Sequence, residues 1–153
     1  MLLRPVLTLM AICLAAGACA AQEREWSLDA SDQDAYLIFG VPDSEDVGVS
    51  LWCPVRQDIV NVFLPDVVDS PASGKNMLMT VVAGGQTAGF SGKTEENPEA
   101  DGSSLEAQIP ADHPILGAMR KADRFSVKVN GDERIFPLVE ADIAGLIDLC
   151  SRN

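Results

Sequence analysis

Two cysteines separated by most of the chain constrain this fold more than any other feature. The sequence has four, at 13, 19, 53 and 150. Its first twenty residues, MLLRPVLTLMAICLAAGACA, read as an export signal. Arg4 is the positive start, 6–16 is an uncharged apolar run, and Ala18-Cys19-Ala20 is a small-residue cleavage site. The apolar run is shorter than the roughly 18 residues of a membrane-spanning helix. Cleavage after Ala20 removes Cys13 and Cys19 and leaves an even pair in an oxidising compartment. That predicts a Cys53–Cys150 disulfide. Whatever element carries Cys53 must then lie beside the C-terminal segment.

The alternative processing site is the lipobox-like Ala16-Gly17-Ala18-Cys19, with Ala16 where Leu is usual. Cleavage before Cys19 gives a lipid-anchored protein with Cys19 as the lipidation site. Cleavage after Ala20 gives a periplasmic or secreted one. Both lie outside the cytoplasm of a bacterium. Two body cysteines and one histidine do not supply four ligands for structural zinc. A redox dithiol is excluded because the position three after Cys53 is Arg56.

The remaining 133 residues fit one domain and bury roughly two thirds of their unfolded surface. Residues 21–34 are polar except for Trp26 and Leu28 and read as an N-terminal leader anchored by Trp26. A β-rich domain is expected over 35–153. AYLIFGV (35–41), VGVSLWC (47–53), IVNVFL (59–64) and MLMTVVA (77–83) read as strands between turns. In the second, Val47, Val49, Leu51 and Cys53 share a face, which turns Cys53 inward. A further strand starts near 88–91, and an acidic, turn-rich loop follows over 93–103. Leu105, Ala107 and Ile109 alternate as a half-buried strand.

A short internal helix is expected over 112–122, capped by Asp112 or His113 with Pro114 in its first turn. FSVKV and ERIF flank Asn130-Gly131, the signature of a type I′ hairpin. A two-residue turn sets Phe125 against Phe136 and Lys128 against Glu133. Ile143, Leu146, Ile147 and Cys150 recur at helical spacing in a C-terminal helix over 140–151, with Glu140 and Asp142 suited to its start. The fold class is mainly β: a single-domain β-sandwich or partly open barrel, with these two helices at its ends or edges.

Chemical motifs fail on inspection. Gly92-Lys93-Thr94 resembles the end of a phosphate loop, but Thr87 stands where the leading glycine belongs and Pro98 opposes the required helix. Gly89-Phe90-Ser91-Gly92 lacks the last glycine of a nucleophile elbow, since position 93 is Lys. His113 has no nucleophile at readable spacing and is expected to be a capping residue. Aligning Gly102 with the glycine of a calcium loop puts Asn97 and Gln108 where Asp and Glu are needed. The clusters Asp43, Glu45, Asp46 and Glu95, Glu96, Glu99, Asp101 leave only a looser calcium site. Besides phenylalanines, Trp26, Tyr36 and Trp52 are the large aromatics available to line a sugar cleft. No catalytic residue, cofactor or metal ligand is assigned.

The net charge of -12 argues against nucleic acid as a ligand. Acids dominate residues 21–70. Five basic groups gather in 120–134: Arg120, Lys121, Arg124, Lys128 and Arg134. They are a partner patch or an ordinary salt-bridged face.

The order of elements, from AYLIFGV through VSLWC, a β run, a helix and a hairpin to AGLIDLC, resembles small exported proteobacterial β-domain proteins, including periplasmic accessory proteins of type VI secretion. The resemblance spans 36–150, brings no catalytic residue, and implies an envelope-associated β domain. Periplasmic lysozyme inhibitors offer a second comparison. One such family carries Ser-Gly-x-x-Tyr; here Ser73-Gly74 and Ser91-Gly92 lack the tyrosine, with Met77 in its place after the first. The expectation is therefore a non-enzymatic envelope protein that binds a protein partner or supports an assembly. The alternatives are an inhibitor of a basic cell-wall hydrolase such as lysozyme, and a calcium-dependent or carbohydrate-binding module.

Overall fold

A computed structural model describes residues 23–67, 73–97 and 102–152. The export signal over 1–20, with Cys19, lies outside the described residues, as do Glu99 and Asp101 of the acidic clusters. Nine strands and two short helices follow one another as β1 (Glu25–Ala30), β2 (Asp34–Gly40), β3 (Val47–Pro54), β4 (Ile59–Val67), β5 (Asn76–Ala83), β6 (Gln86–Asn97), β7 (Gly102–Pro110), α1 (Pro114–Met119), β8 (Arg124–Val129), β9 (Asp132–Pro137) and α2 (Ile143–Cys150). The strands form one antiparallel sheet in the order β1-β2-β3-β4-β7-β6-β5-β8-β9. It curls into a half-barrel, so of the two expected architectures the partly open barrel is the one formed.

Alternation builds the inner face. Leu37, Val49, Leu51, Cys53, Val60, Val62, Met79, Val81, Leu105, Ala107, Ile109 and Val127 are all within 1% of full burial. The side chains of one strand lie opposite those of the next in register: Leu37, Leu51, Val62 and Ala107 form one continuous inward row across β2, β3, β4 and β7. Each buried Leu, Val, Ile or Met side chain among them contributes on the order of 1.5–3 kcal/mol. Register shifts at Phe39/Gly40 and Leu64/Val67 help the sheet bend.

The hairpin forms as its turn chemistry requires. Asn130 and Gly131 both have positive φ, 49° and 84°. Phe125 faces Phe136 and Lys128 faces Glu133. Both helices are shorter than the expected spans 112–122 and 140–151, and capping side chains fix their starts. His113 Nδ1 accepts the Ile115 N–H at 3.1 Å, and Asp142 Oδ1 accepts the Gly145 N–H at 2.8 Å. Glu140, expected inside the second helix, precedes it with φ 72°. A Cβ at Gly145 would stand 2.4 Å from the Asp142 carboxylate, so this cap needs glycine there. Ile115, Leu116, Met119, Ile143, Leu146, Ile147 and Cys150 then point into one end of the half-barrel.

Two polar stretches differ from their sequence reading. Six residues of the segment read as a leader form β1, paired along its length with β2. The segment read as an acidic loop from 93 continues β6 to Asn97, paired with β7. Neither shows inward apolar alternation. Each is held by its ladder and by one anchor. Thr94 is fully buried in β6, and its backbone exchanges hydrogen bonds with Gly74 and Lys75. Trp26 anchors β1, as expected of that residue, but across the seam: its indole N–H donates to the Pro137 carbonyl of β9 at 2.7 Å. Its ring packs against Phe39 and Phe125 at 5.2 and 6.4 Å.

The disulfide forms as predicted, with Cα–Cα 5.7 Å and a separation of 97 residues. The β3–β4 turn grips the same helix end. Arg56 and Asp58 N–H groups donate to the carbonyls of Leu149 and Cys150. The Asp58 carboxylate accepts the Arg152 backbone N–H at 2.7 Å and its Nε at 2.6 Å. The Arg152 backbone donor, reinforced by its guanidinium, holds the Asp58 carboxyl below its usual range.

Cys53→Ser is expected to destabilise the domain by about 2–5 kcal/mol, and reductant should lower the wild-type melt but not that of the variant. An unchanged wild-type melt in reductant would contradict a stabilising bridge. Asp58 gives a pH test. A lowered folded pKa stabilises above the unfolded value and loses its effect as pH falls through the folded one. Wild type should therefore exceed Asp58→Asn in stability at pH ~6, and the gap should close below pH ~4. Parallel denaturation curves over that range would count against the clamp.

Candidate functional site

Alternate positions of the central strands face away from the core, and they are not uniformly polar. Register places Tyr36, Trp52, Asn61 and Gln108 in one outward row across β2, β3, β4 and β7. Ile38, Ser50, Phe63, Glu106 and Lys93 form the next row and extend it onto β6. An antiparallel sheet with one free face normally keeps it polar. Here that face carries four large apolar or aromatic side chains in two adjacent rows.

Tyr36 and Trp52 stack with ring centroids 5.7 Å apart and planes 15° from parallel. Cross-strand pairs of this kind stabilise a ladder by roughly 0.2–1 kcal/mol. This one also places Tyr36 at 37% exposure. The Trp52 indole N–H donates to Glu106 Oε2 at 2.8 Å. Trp52 is on β3 and Glu106 on β7, so the indole reaches across β4. Asn61 stands on β4 between them and is only 1% exposed. Its Nδ2 donates to the Trp52 carbonyl at 3.3 Å. Its Oδ1 is the buried side-chain atom left without a donor among the described residues.

Beside this row lies a cleft of about 330 Å³. Phe63 and Gln108 line it from β4 and β7, together with Glu106. Ser91, Lys93 and Glu95 line it from β6, and Ser104 completes the wall. Gly92 lets β6 approach closely. A Cβ there would meet the Glu106 carbonyl and Leu105 Cδ1, each at 2.8 Å. The cleft thus offers an aromatic ring, two carboxylates, two hydroxyls, an amide and one ammonium. It contains no histidine or cysteine.

The basic residues singled out in the sequence are divided among different jobs. Arg134 sits on the inner side of β9, where its guanidinium donates to the carbonyls of Pro65 and Asp66 at the end of β4. Lys128 pairs with Glu133 at 3.5 Å. The Ser126 hydroxyl, helped by Lys128, holds the Glu133 carboxyl below its usual range. Arg120 and Lys121 border an open groove at the end of α1 with Gly84 and Gln86. Arg124 borders a separate one with Glu133 and Ile135.

Among the acidic clusters, Asp46 pairs with Arg24 at 2.5 Å, and Glu95 and Glu96 are strand residues of β6. Among the described residues no group of three His, Cys, Asp or Glu side chains is arranged to hold a metal ion. His113, the chain's one histidine, caps α1 and meets the Phe90 ring edge-on at 5.1 Å. No protein-family model, curated protein or solved structure matches the chain.

In the sequence Tyr36 and Trp52 stand out only as large aromatics, with no site assembled around them. The signal that could have found it is the alternation itself, which turns Tyr36, Ile38, Trp52 and Phe63 to the opposite side from Leu37, Leu51, Cys53 and Val62.

An orphaned buried acceptor costs about 1–3 kcal/mol. Asn61→Leu removes that cost together with one long hydrogen bond, so its urea midpoint should match or exceed that of wild type. A loss above about 3 kcal/mol would assign Asn61 a structural role instead.

Proposed function

We propose that this protein is an exported, non-enzymatic binding domain of the bacterial envelope that holds a basic protein partner against the outer face of its sheet. The observation that carries this reading is the outward placement of Tyr36, Ile38, Trp52 and Phe63 on a sheet whose inner face already supplies the core. Aromatic side chains at the centre of a polar surround are the usual anchors of protein interfaces. The net charge of -12 favours a basic partner by steering its approach.

Export is supported by the signal-like first twenty residues and by the Cys53–Cys150 bridge, which is typical of oxidising compartments. Among the described residues no helix is long and apolar enough to cross a membrane. The resemblance to exported proteobacterial β domains, including accessory proteins of type VI secretion, agrees with a role in an envelope assembly. An inhibitor of a basic cell-wall hydrolase is the narrower form of the same reading, favoured by the charge. The non-enzymatic reading rests on the sequence, whose phosphate-loop and nucleophile-elbow motifs are incomplete.

Affinity capture from envelope extract tests the proposal with matched variants. Tyr36→Ala should cost no more than the roughly 0.2–1 kcal/mol of its cross-strand pair and lose the protein that the wild type retains. Val139→Ala, at a position 64% exposed between β9 and α2, should retain it. Equal capture by both variants would defeat the outer-face reading. Turnover in a hydrolase panel, abolished by a point mutation in the cleft, would defeat the non-enzymatic one.

A further inference from the structure

We propose that the cleft on the outer face receives an arginine side chain presented by the basic partner. This rests on the outer face being the partner surface and adds the chemistry of the contact.

The cleft, about 330 Å³, lies at the small end of ligand pockets, enough for one long side chain with its water. Glu95 and Glu106 supply carboxylates from adjacent strands, and Ser91, Ser104 and Gln108 supply neutral oxygens around them. A guanidinium is a planar fork of five donors with no acceptor, so it matches such a wall better than a single ammonium does. Phe63 adds a ring on which a cation can rest.

The site is also partly built in advance. The Trp52 indole holds Glu106 through Oε2, which leaves Oε1 to accept from a ligand. Glu95 makes no ion pair among the described residues. Lys93 lies directly across from Glu106 in register, yet it too makes no ion pair among them. It acts as a resident cation that an arriving guanidinium must displace from the field of the two carboxylates.

Asn61 stands beside the cleft rather than in its lining. Its Oδ1 is a buried acceptor without a donor among the described residues, next in register to Gln108, which does line the cleft.

The test is amide and indole NMR on the full-length domain, titrated with a hexa-arginine peptide and with its hexa-citrulline counterpart, which keeps the shape and removes the charge. The Trp52 indole N–H and the Gln108 side-chain amide should shift with arginine and not with citrulline. The Trp26 indole, on the inner side at the seam, should stay still. Glu95→Gln with Glu106→Gln keeps an acceptor for Trp52 and should weaken binding roughly tenfold or more, as expected for loss of charge-assisted bonds. Lys93→Gln should tighten it.

Equal response to citrulline, or indifference to the Glu95/Glu106 double variant, would overturn the inference. Weaker binding of the arginine peptide by Lys93→Gln would overturn it, because the ammonium would then be part of the contact and not an opposing charge. A response to an N-acetylglucosamine oligosaccharide but not to the arginine peptide would overturn it in favour of a saccharide. Partner capture separates the two levels. If the double variant still retains the protein that Tyr36→Ala loses, the arginine contact falls and the outer-face reading stands. If both variants retain it, both fall.

Discussion

A sheet that curls without closing leaves an open end and an open seam, and the Cys53–Cys150 bridge with its surrounding hydrogen bonds governs the first. Nine strands can bury their inner side chains only if something fills the mouth of the half-barrel. α2 fills much of it, but an eight-residue helix is too short to be stable alone. It is held by covalent attachment to β3, by backbone donors from the β3–β4 turn and by the Asp58–Arg152 contact. These three act on the same few residues. The inward positions of Ala35, Cys53, Val60 and Ile109 remain dry because the helix is fixed there.

The seam is managed differently. β1 and β9 are the sheet edges and share no ladder. Trp26 links them through Pro137, and Trp26, Phe39, Phe125 and Phe136 form a chain of ring contacts spaced 5.2 to 6.4 Å apart. Aromatic pairs of this kind contribute roughly 0.5–1.5 kcal/mol each beyond their buried area. Arg134 ties β9 to the end of β4. That role commits it to the fold, and the other basic groups of 120–134 are likewise divided between an ion pair and two separate grooves. Side chains replace the missing backbone pairing, so the two edges hold their positions without closing a barrel.

Most of the scaffold was legible because it obeys local rules. Period-two alternation marked β3 and β7, Asn130-Gly131 fixed the last hairpin, and helical spacing put Cys150 on the buried face of α2. What was not legible depends on partners distant in sequence. β1 is polar and becomes a strand because β2 offers a ladder and Pro137 accepts from Trp26. The second half of β6 reads as an acidic loop and becomes a strand because β7 lies beside it. Chain periodicity cannot report either partner. The outer site was half legible: alternation alone assigns Tyr36 and Trp52 to the free face, but the diagonal from Trp52 to Glu106 exists only once β4 lies between β3 and β7.

That diagonal also argues against the outer aromatics being ordinary packing. A sheet stabilised for its own sake would cover Trp52 with apolar neighbours or leave it in water. Here its indole is committed to a carboxylate, and it crosses an asparagine whose oxygen has no donor among the described residues. Both choices cost stability relative to an apolar row. Residues that break the local rule without a folding gain tend to cluster where function is built. The inner face, the bridge and the seam contain few such departures. The outer rows of β2, β3, β4 and β7 concentrate them, beside a cleft whose two carboxylates make no ion pairs among the described residues. The polar cost and the partly exposed aromatic side chains thus fall on the same adjacent rows of the sheet.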